Sequence, residues 1–91
     1  MLRPARGFRI WVCERPTDMR KSFDTLAALV EGVLRRDPLS GHWFVFVNRR
    51  ANRMKILVFE GDGYAIWSKR LEAGTFALPH GRAELSVAEL G

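Results

Sequence analysis

The stretch from Arg53 to Leu71, RMKILVFEGDGYAIWSKRL, constrains this chain more than any other. Two runs rich in β-branched and aromatic residues, 53–60 and 64–71, flank Gly61-Asp62-Gly63. Runs of that composition read as strands, and so short a Gly/Asp link closes them as an antiparallel hairpin. A two-residue Asp62-Gly63 turn of type I′ sets Lys55 opposite Arg70, whereas a three-residue turn sets Lys55 opposite Lys69. Either register places two cations side by side at the far end of the hairpin. Directly opposed like charges are unfavourable in a sheet unless an anion relieves them.

The remainder of the chain supplies partners for this hairpin. GFRIWVCE (7–14) and HWFVFVN (42–48) are two further strands by the same criteria. Between them the period changes: Met19, Phe23, Leu26, Ala27, Val30, Val33 and Leu34 recur at steps of three and four and predict a helix over 17–36. Thr17 suits its N-cap, Asp18 the positive end of its dipole, and Arg35 and Arg36 the negative end. Pro38 ends it by disfavouring helical geometry at Asp37. The expected fold is α+β: one long helix packed on a four-stranded, mainly antiparallel sheet in the order β-α-β-β-β, a single domain over residues 1–91. Ser86 and Glu89 form a capping-box pattern that announces a second helix, expected to be cut short after residue 86.

Apolar residues occupy both strand parities. Trp43, Val45 and Val47 alternate with Phe44 and Phe46, and Ile56, Val58 and Trp67 with Leu57, Phe59, Tyr64 and Ile66. One helix covers one sheet face, so the other needs residues 72–91 folded back over it, a second copy of the chain, or another protein. Trp67 is expected in the core.

Fifteen Lys and Arg residues against ten Asp and Glu give a net charge of +5, which favours an acidic partner. The cations concentrate around the hairpin: Arg49, Arg50, Arg53, Lys55, Lys69 and Arg70. Two readings compete for them, a solvated rim that keeps an exposed sheet edge from aggregating and a surface that holds a polyanion. Cys13 is the single cysteine, which excludes an internal disulfide and suggests a reducing compartment. No apolar run is long enough for a signal peptide or a bilayer span, so the expected location is cytoplasmic, with no membrane partner. Cys13, His42 and His80 are isolated and no carboxylate set suits a metal pair. Neither a cofactor nor enzymatic activity is expected.

Several segments together resemble the small accessory protein of IS-66 family bacterial insertion sequences, often called TnpB. They are TDMRKSFDTLAALV (17–30), DPLSGHWFVFVNRRANRMKIL (37–57) and GDGYAIWSKRLEAGTFALP (61–79). The resemblance implies a part in transposition beside a separate, larger transposase that cuts and joins the DNA. It also implies a longer C-terminal helix beyond LSVAEL. Its motif positions on this chain include Thr17, Asp18, Met19, Arg20, Lys21, Phe23 and Asp24, then Asp37, Pro38, Ser40, Gly41 and His42. At the hairpin they are Arg49, Arg50, Lys55, Lys69, Arg70, Leu71, Glu72 and Gly74. Met19, Phe23 and Leu71 read as core. Arg20 and Lys21, read as the outer face of the helix start, join the hairpin cations as candidate contacts. The expected partners are DNA (non-specific, or transposon ends), the transposase of the same element, and a second copy of the chain. The alternative to DNA binding is an adaptor that docks on the transposase or on itself through an apolar sheet face.

Overall fold

The structure is a computed structural model that describes residues 4, 6–78 and 81–90. Its strands are β1 (Ile10–Val12), β2 (Trp43–Val47), β3 (Arg53–Phe59), β4 (Tyr64–Arg70) and β5 (Glu84–Leu85). They form one mixed sheet in the order β4-β3-β2-β1-β5. β1 runs parallel to β2, and every other neighbouring pair is antiparallel. The expected four-stranded sheet therefore has five strands. Glu84 and Leu85 form too short a run for alternation to reveal, and they enter only by pairing with Trp11 and Ile10.

The long helix is also corrected. An α-helix, α1, spans Phe23–Leu29 and runs on into a π-helical turn, Val30–Leu34, closed by Arg35 in the left-handed region at φ 55°. Residues 17–22 are not helical because other groups claim them. The Thr17 N–H donates to the Val47 carbonyl (2.9 Å), which carries the β1–β2 alignment past the end of β1. The Asp18 carboxylate accepts from the Arg20 N–H (2.9 Å), and the Lys21 N–H donates to the Asp18 carbonyl (3.1 Å), closing a tight turn. The first free position for a cap is Ser22, whose N–H donates to Thr25 Oγ1 at 2.9 Å. Arg20 and Lys21 thus lie on the connection ahead of α1, not on its outer face.

Each sheet face carries its own core. On one side Trp11, Cys13, Phe44, Phe46 and Leu57 pack under Leu26, Ala27 and Val30 of the helical segment. On the other, Ile10, Val12, Val45, Met54 and Ile56 are covered by Phe76, Leu78, Leu85 and Leu90. The C-terminal segment therefore folds back over the second face, and its Ser86 pattern delivers one turn of helix, α2 (Val87–Leu90). The Glu89 N–H donates to Ser86 Oγ (3.2 Å), the Ser86 N–H donates to Glu89 Oε1 (3.0 Å), and Arg82 ion-pairs with Glu89. Three expected core residues lie outside it: Trp67 is 38% exposed, Phe23 44%, and Leu71 is half-buried and belongs to neither core.

Candidate nucleic-acid interface

The parallel alignment of β1 and β2 decides where the cations meet. It puts the β1–α1 connection at the same end of the sheet as the β2–β3 loop, which is also where β4 finishes. Arg20, Arg49, Arg50, Arg53, Lys69 and Arg70 all come from these three segments.

The β2–β3 loop is built by asparagine. The Asn48 N–H donates to the Arg53 carbonyl (3.1 Å), and the Ala51 N–H donates to the Asn48 carbonyl (3.0 Å), so Arg49 and Arg50 hold the two central positions of a turn. Ala51 completes it in the left-handed region at φ 56°. The Asn48 side chain locks this path: Oδ1 accepts from the N–H groups of Asn52 (3.0 Å) and Arg53 (2.9 Å), and Nδ2 donates to Asn52 Oδ1 (2.8 Å). From outside, the Phe76 N–H donates to the Ala51 carbonyl (2.7 Å) and the Leu71 N–H to the Asn52 carbonyl (2.8 Å). Two exposed arginines are thereby held at the apex of a braced loop.

The hairpin register differs from both expectations by a slip of the turn. Glu60 faces Gly63 through a 2.8 Å hydrogen bond from the Glu60 N–H to the Gly63 carbonyl, so the turn residues are Gly61-Asp62 rather than Asp62-Gly63. Gly61, at φ 93°, takes the first central position, where the left-handed region favours glycine. Phe59 consequently pairs with Tyr64, Lys55 with Ser68 and Arg53 with Arg70. The expected Lys55–Arg70 and Lys55–Lys69 contacts are replaced by an arginine pair. The hydrogen-bonded Asn52–Leu71 pair next to it makes Arg53–Arg70 a non-hydrogen-bonded pair, the kind in which facing side chains stand closest.

The remaining cations differ in what they are free to do. Lys55 is half-buried and its Nζ donates to the Lys21 carbonyl at 2.7 Å, tying the β1–α1 connection to β3. Arg20 clamps both oxygens of Asp18 at 2.7–3.1 Å, which holds the Asp18 carboxyl well below the usual carboxylate range. Arg70 reaches Glu72 at 3.7 Å, a weak pair between exposed side chains. Among the described residues, Arg49, Arg50, Arg53 and Lys69 have no ion-pair partner. An open depression of about 410 Å³ brings Arg20, Arg49, Arg50 and Arg53 together around Thr17 and Asn48. Lys21 supplies the carbonyl that Lys55 binds, and its side chain is not among the groups lining that depression.

Acid gathers at the other end of the sheet. Glu60 and Asp62 belong to the β3–β4 turn, and Tyr64 beside them has its phenol pushed up by burial first, then by the charges of Glu31 and Asp37. Asn48 and Asn52 are the site residues that pattern reading passed over. The only sequence signal for them is the Asn-x-x-x-Asn spacing around the arginine pair.

The groups available for other chemistry are otherwise engaged. Cys13 is buried in the helix-side core, and His42 Nδ1 accepts the Arg9 N–H at 2.8 Å. His80 lies outside the described residues. Among the described residues, no three His, Cys, Asp or Glu side chains stand close enough to hold a metal ion, and no helix is long and apolar enough to cross a membrane.

The family described as IS66 Orf2 like protein matches residues 8–91 of the chain. The chain is 37% identical over 93 residues to the uncharacterized protein y4hO of Sinorhizobium fredii (strain NBRC 101917 / NGR234), a similarity that covers 99% of this chain and 81% of that protein. Over 79 residues it is 39% identical to the uncharacterized protein y4jC of the same organism, covering 87% of this chain and 68% of the other. No solved structure matches it significantly.

Proposed function

This chain belongs to the IS66 Orf2-like family, and from that premise we propose that it is a non-catalytic accessory factor of insertion-sequence transposition that holds DNA by its phosphates. The observation that carries this reading is the arginine set at one end of the sheet. Arg49 and Arg50 sit at the apex of a loop braced by Asn48, and Arg53 faces Arg70 at a close pair. A fold that needed only a soluble rim has no reason to fix that geometry. Opposed arginines repel, and the repulsion is relieved when a phosphate lies between them, where each guanidinium donates two hydrogen bonds to its oxygens. Arg20 adds a guanidinium already aligned by Asp18. Lys69 lies on the opposite face of β4 and extends the positive field toward the second side of the sheet.

These contacts position a duplex and do not read it. Among the described residues, α1 is seven residues long and packs its apolar side on the sheet, and α2 is a single turn, so neither offers a recognition helix for a major groove. Cutting and joining therefore fall to the transposase, with this chain binding near the element's ends or within the transposase–DNA assembly. The test is a fluorescence-anisotropy titration on a transposon-end duplex and on a scrambled duplex. Equal affinity for both, weakened equally by Arg49→Ala with Arg50→Ala, is expected. A large preference for the end sequence, or no effect of the double substitution, sinks the reading.

A further inference from the structure

The sheet has one long free edge. β4 pairs with β3 on one side and, among the described residues, with nothing on the other. The hydrogen-bonded pairs Glu60–Gly63 and Asn52–Leu71 fix the alternation between them, so Ala65, Trp67 and Lys69 bond inward to β3. Tyr64, Ile66, Ser68 and Arg70 then direct their N–H and C=O groups outward, unpaired. A seven-residue exposed edge of this kind is a template for another strand.

Two further observations say which strand. The edge is acidic where it begins, at Glu60 and Asp62, and basic where it ends, at Lys69 and Arg70. Among the described residues Glu60, Asp62 and Lys69 have no ion-pair partner. One oxygen of the Glu60 carboxylate is also enclosed without a hydrogen-bond donor. A strand charged in this way complements itself when laid antiparallel, as a two-fold interface requires. At the middle of the strand stands Trp67, 38% exposed on the face that the C-terminal segment covers elsewhere.

We infer that the β4 edge is a self-association surface that takes a second copy of this chain, antiparallel and centred on Trp67, to make a continuous ten-stranded sheet. Full overlap of the strand requires that centre. It pairs Ile66 with Ser68 of the second copy and Tyr64 with Arg70 of the second copy, all of them residues with outward hydrogen-bonding groups. The two Trp67 rings then meet at the central non-hydrogen-bonded pair, the closest side-chain approach in an antiparallel ladder, and cover each other. Each Lys69–Arg70 end comes beside the Glu60–Asp62 turn of the other copy. The arginine sets lie at opposite ends of the joined sheet, so this association neither uses nor requires DNA.

Sedimentation velocity across micromolar concentrations, without DNA, tests it. The wild-type chain is expected to show a concentration-dependent dimer weakened by salt. Ser68→Pro removes one outward N–H and no bond to β3, a substitution edge strands accept, and is expected to weaken the dimer at least roughly tenfold. Its circular dichroism should match wild type. If Ser68→Pro proves misfolded, charge reversal decides instead. Glu60→Lys with Asp62→Lys is expected to weaken the dimer, and adding Lys69→Glu with Arg70→Glu to restore it. A chain that stays monomeric throughout, or a dimer indifferent to Trp67→Ala and to both reversals, overturns the inference. DNA binding by a monomeric chain would leave the phosphate-holding reading intact.

Discussion

Replacing Asn48 by alanine isolates the brace that fixes the arginine loop. The wild-type side chain makes three hydrogen bonds, to the Asn52 and Arg53 N–H groups and to Asn52 Oδ1, at 2.8–3.0 Å in a half-buried setting. A net hydrogen bond in a protein contributes about 0.5–1.5 kcal/mol. Asn48→Ala opens the site enough for water to reach the Arg53 N–H, which places the expected loss toward the lower half of the summed range, about 1.5–2.5 kcal/mol. For a domain of this size that corresponds to a fall in Tm of roughly 6–20 °C. Urea unfolding followed by tryptophan fluorescence reads it directly, since Trp11 and Trp43 sit in the two cores. Asn52→Ala in the same background should add less than its effect alone, because the two side chains share a bond. An Asn48→Ala change below about 0.5 kcal/mol, the ordinary scatter of surface substitutions, would refute the claim that these side chains hold the turn. The loop would then owe its shape to backbone bonds alone, those within the turn at Asn48 and Ala51 and those from Leu71 and Phe76.

Other consequences are as definite. Gly61→Ala should destabilise the chain by about 1–2 kcal/mol through backbone conformation alone, because φ is 93° and nothing stands within 4 Å of an added Cβ; an unchanged urea midpoint would show that the turn reshapes freely. The Glu89 carboxyl is held below its ordinary value, chiefly by the Ser86 N–H, with Ser86 Oγ and Arg82 assisting. Its depressed folded pKa means that it supports α2 at neutral pH and that this support is lost as pH falls from about the ordinary 4.5 through the folded value. Protection of the Leu90 amide, whose N–H donates to the Ser86 carbonyl, measured against the intrinsic exchange rate at each pH, should fall over that window in wild type and not in Glu89→Gln. Purified protein with magnesium or manganese should leave supercoiled DNA unnicked; nicking abolished by a single Asp or Glu substitution would overturn the non-catalytic assignment.

Much of this was legible in the residues, for identifiable reasons. The alternation in 43–47, 53–59 and 64–70 gave the three long strands, and its double apolar parity gave a sheet buried on two faces. The helix start was misplaced because Thr17 satisfies any N-cap rule. Its N–H is committed to Val47, a partner thirty residues away that no local pattern contains. The turn slipped by one residue because Gly61 and Gly63 flank Asp62 symmetrically, so composition allows either glycine to lead. Trp67 was misjudged for a related reason. Alternation says which face a residue takes but not whether its strand lies at the edge. The gathering of Arg49, Arg50, Arg53, Lys69 and Arg70 at one end of the hairpin was legible, whereas the arrival of Arg20 beside them was not. That follows from the parallel β1–β2 pairing, which carries Arg20 to the side of Arg49 and Arg50.

The central claim, that a braced arginine set holds phosphates, is tested most directly by the salt dependence of duplex binding. Neutralising about four phosphates predicts that log K falls against log salt with a slope of roughly −3 to −4. Arg49→Ala with Arg50→Ala removes two of the apex contacts and should flatten that slope by roughly 2 on any sequence. A wild-type slope near zero, or a double mutant that keeps both its affinity and its slope, would contradict the account and return the arginines to the role of a solvated rim.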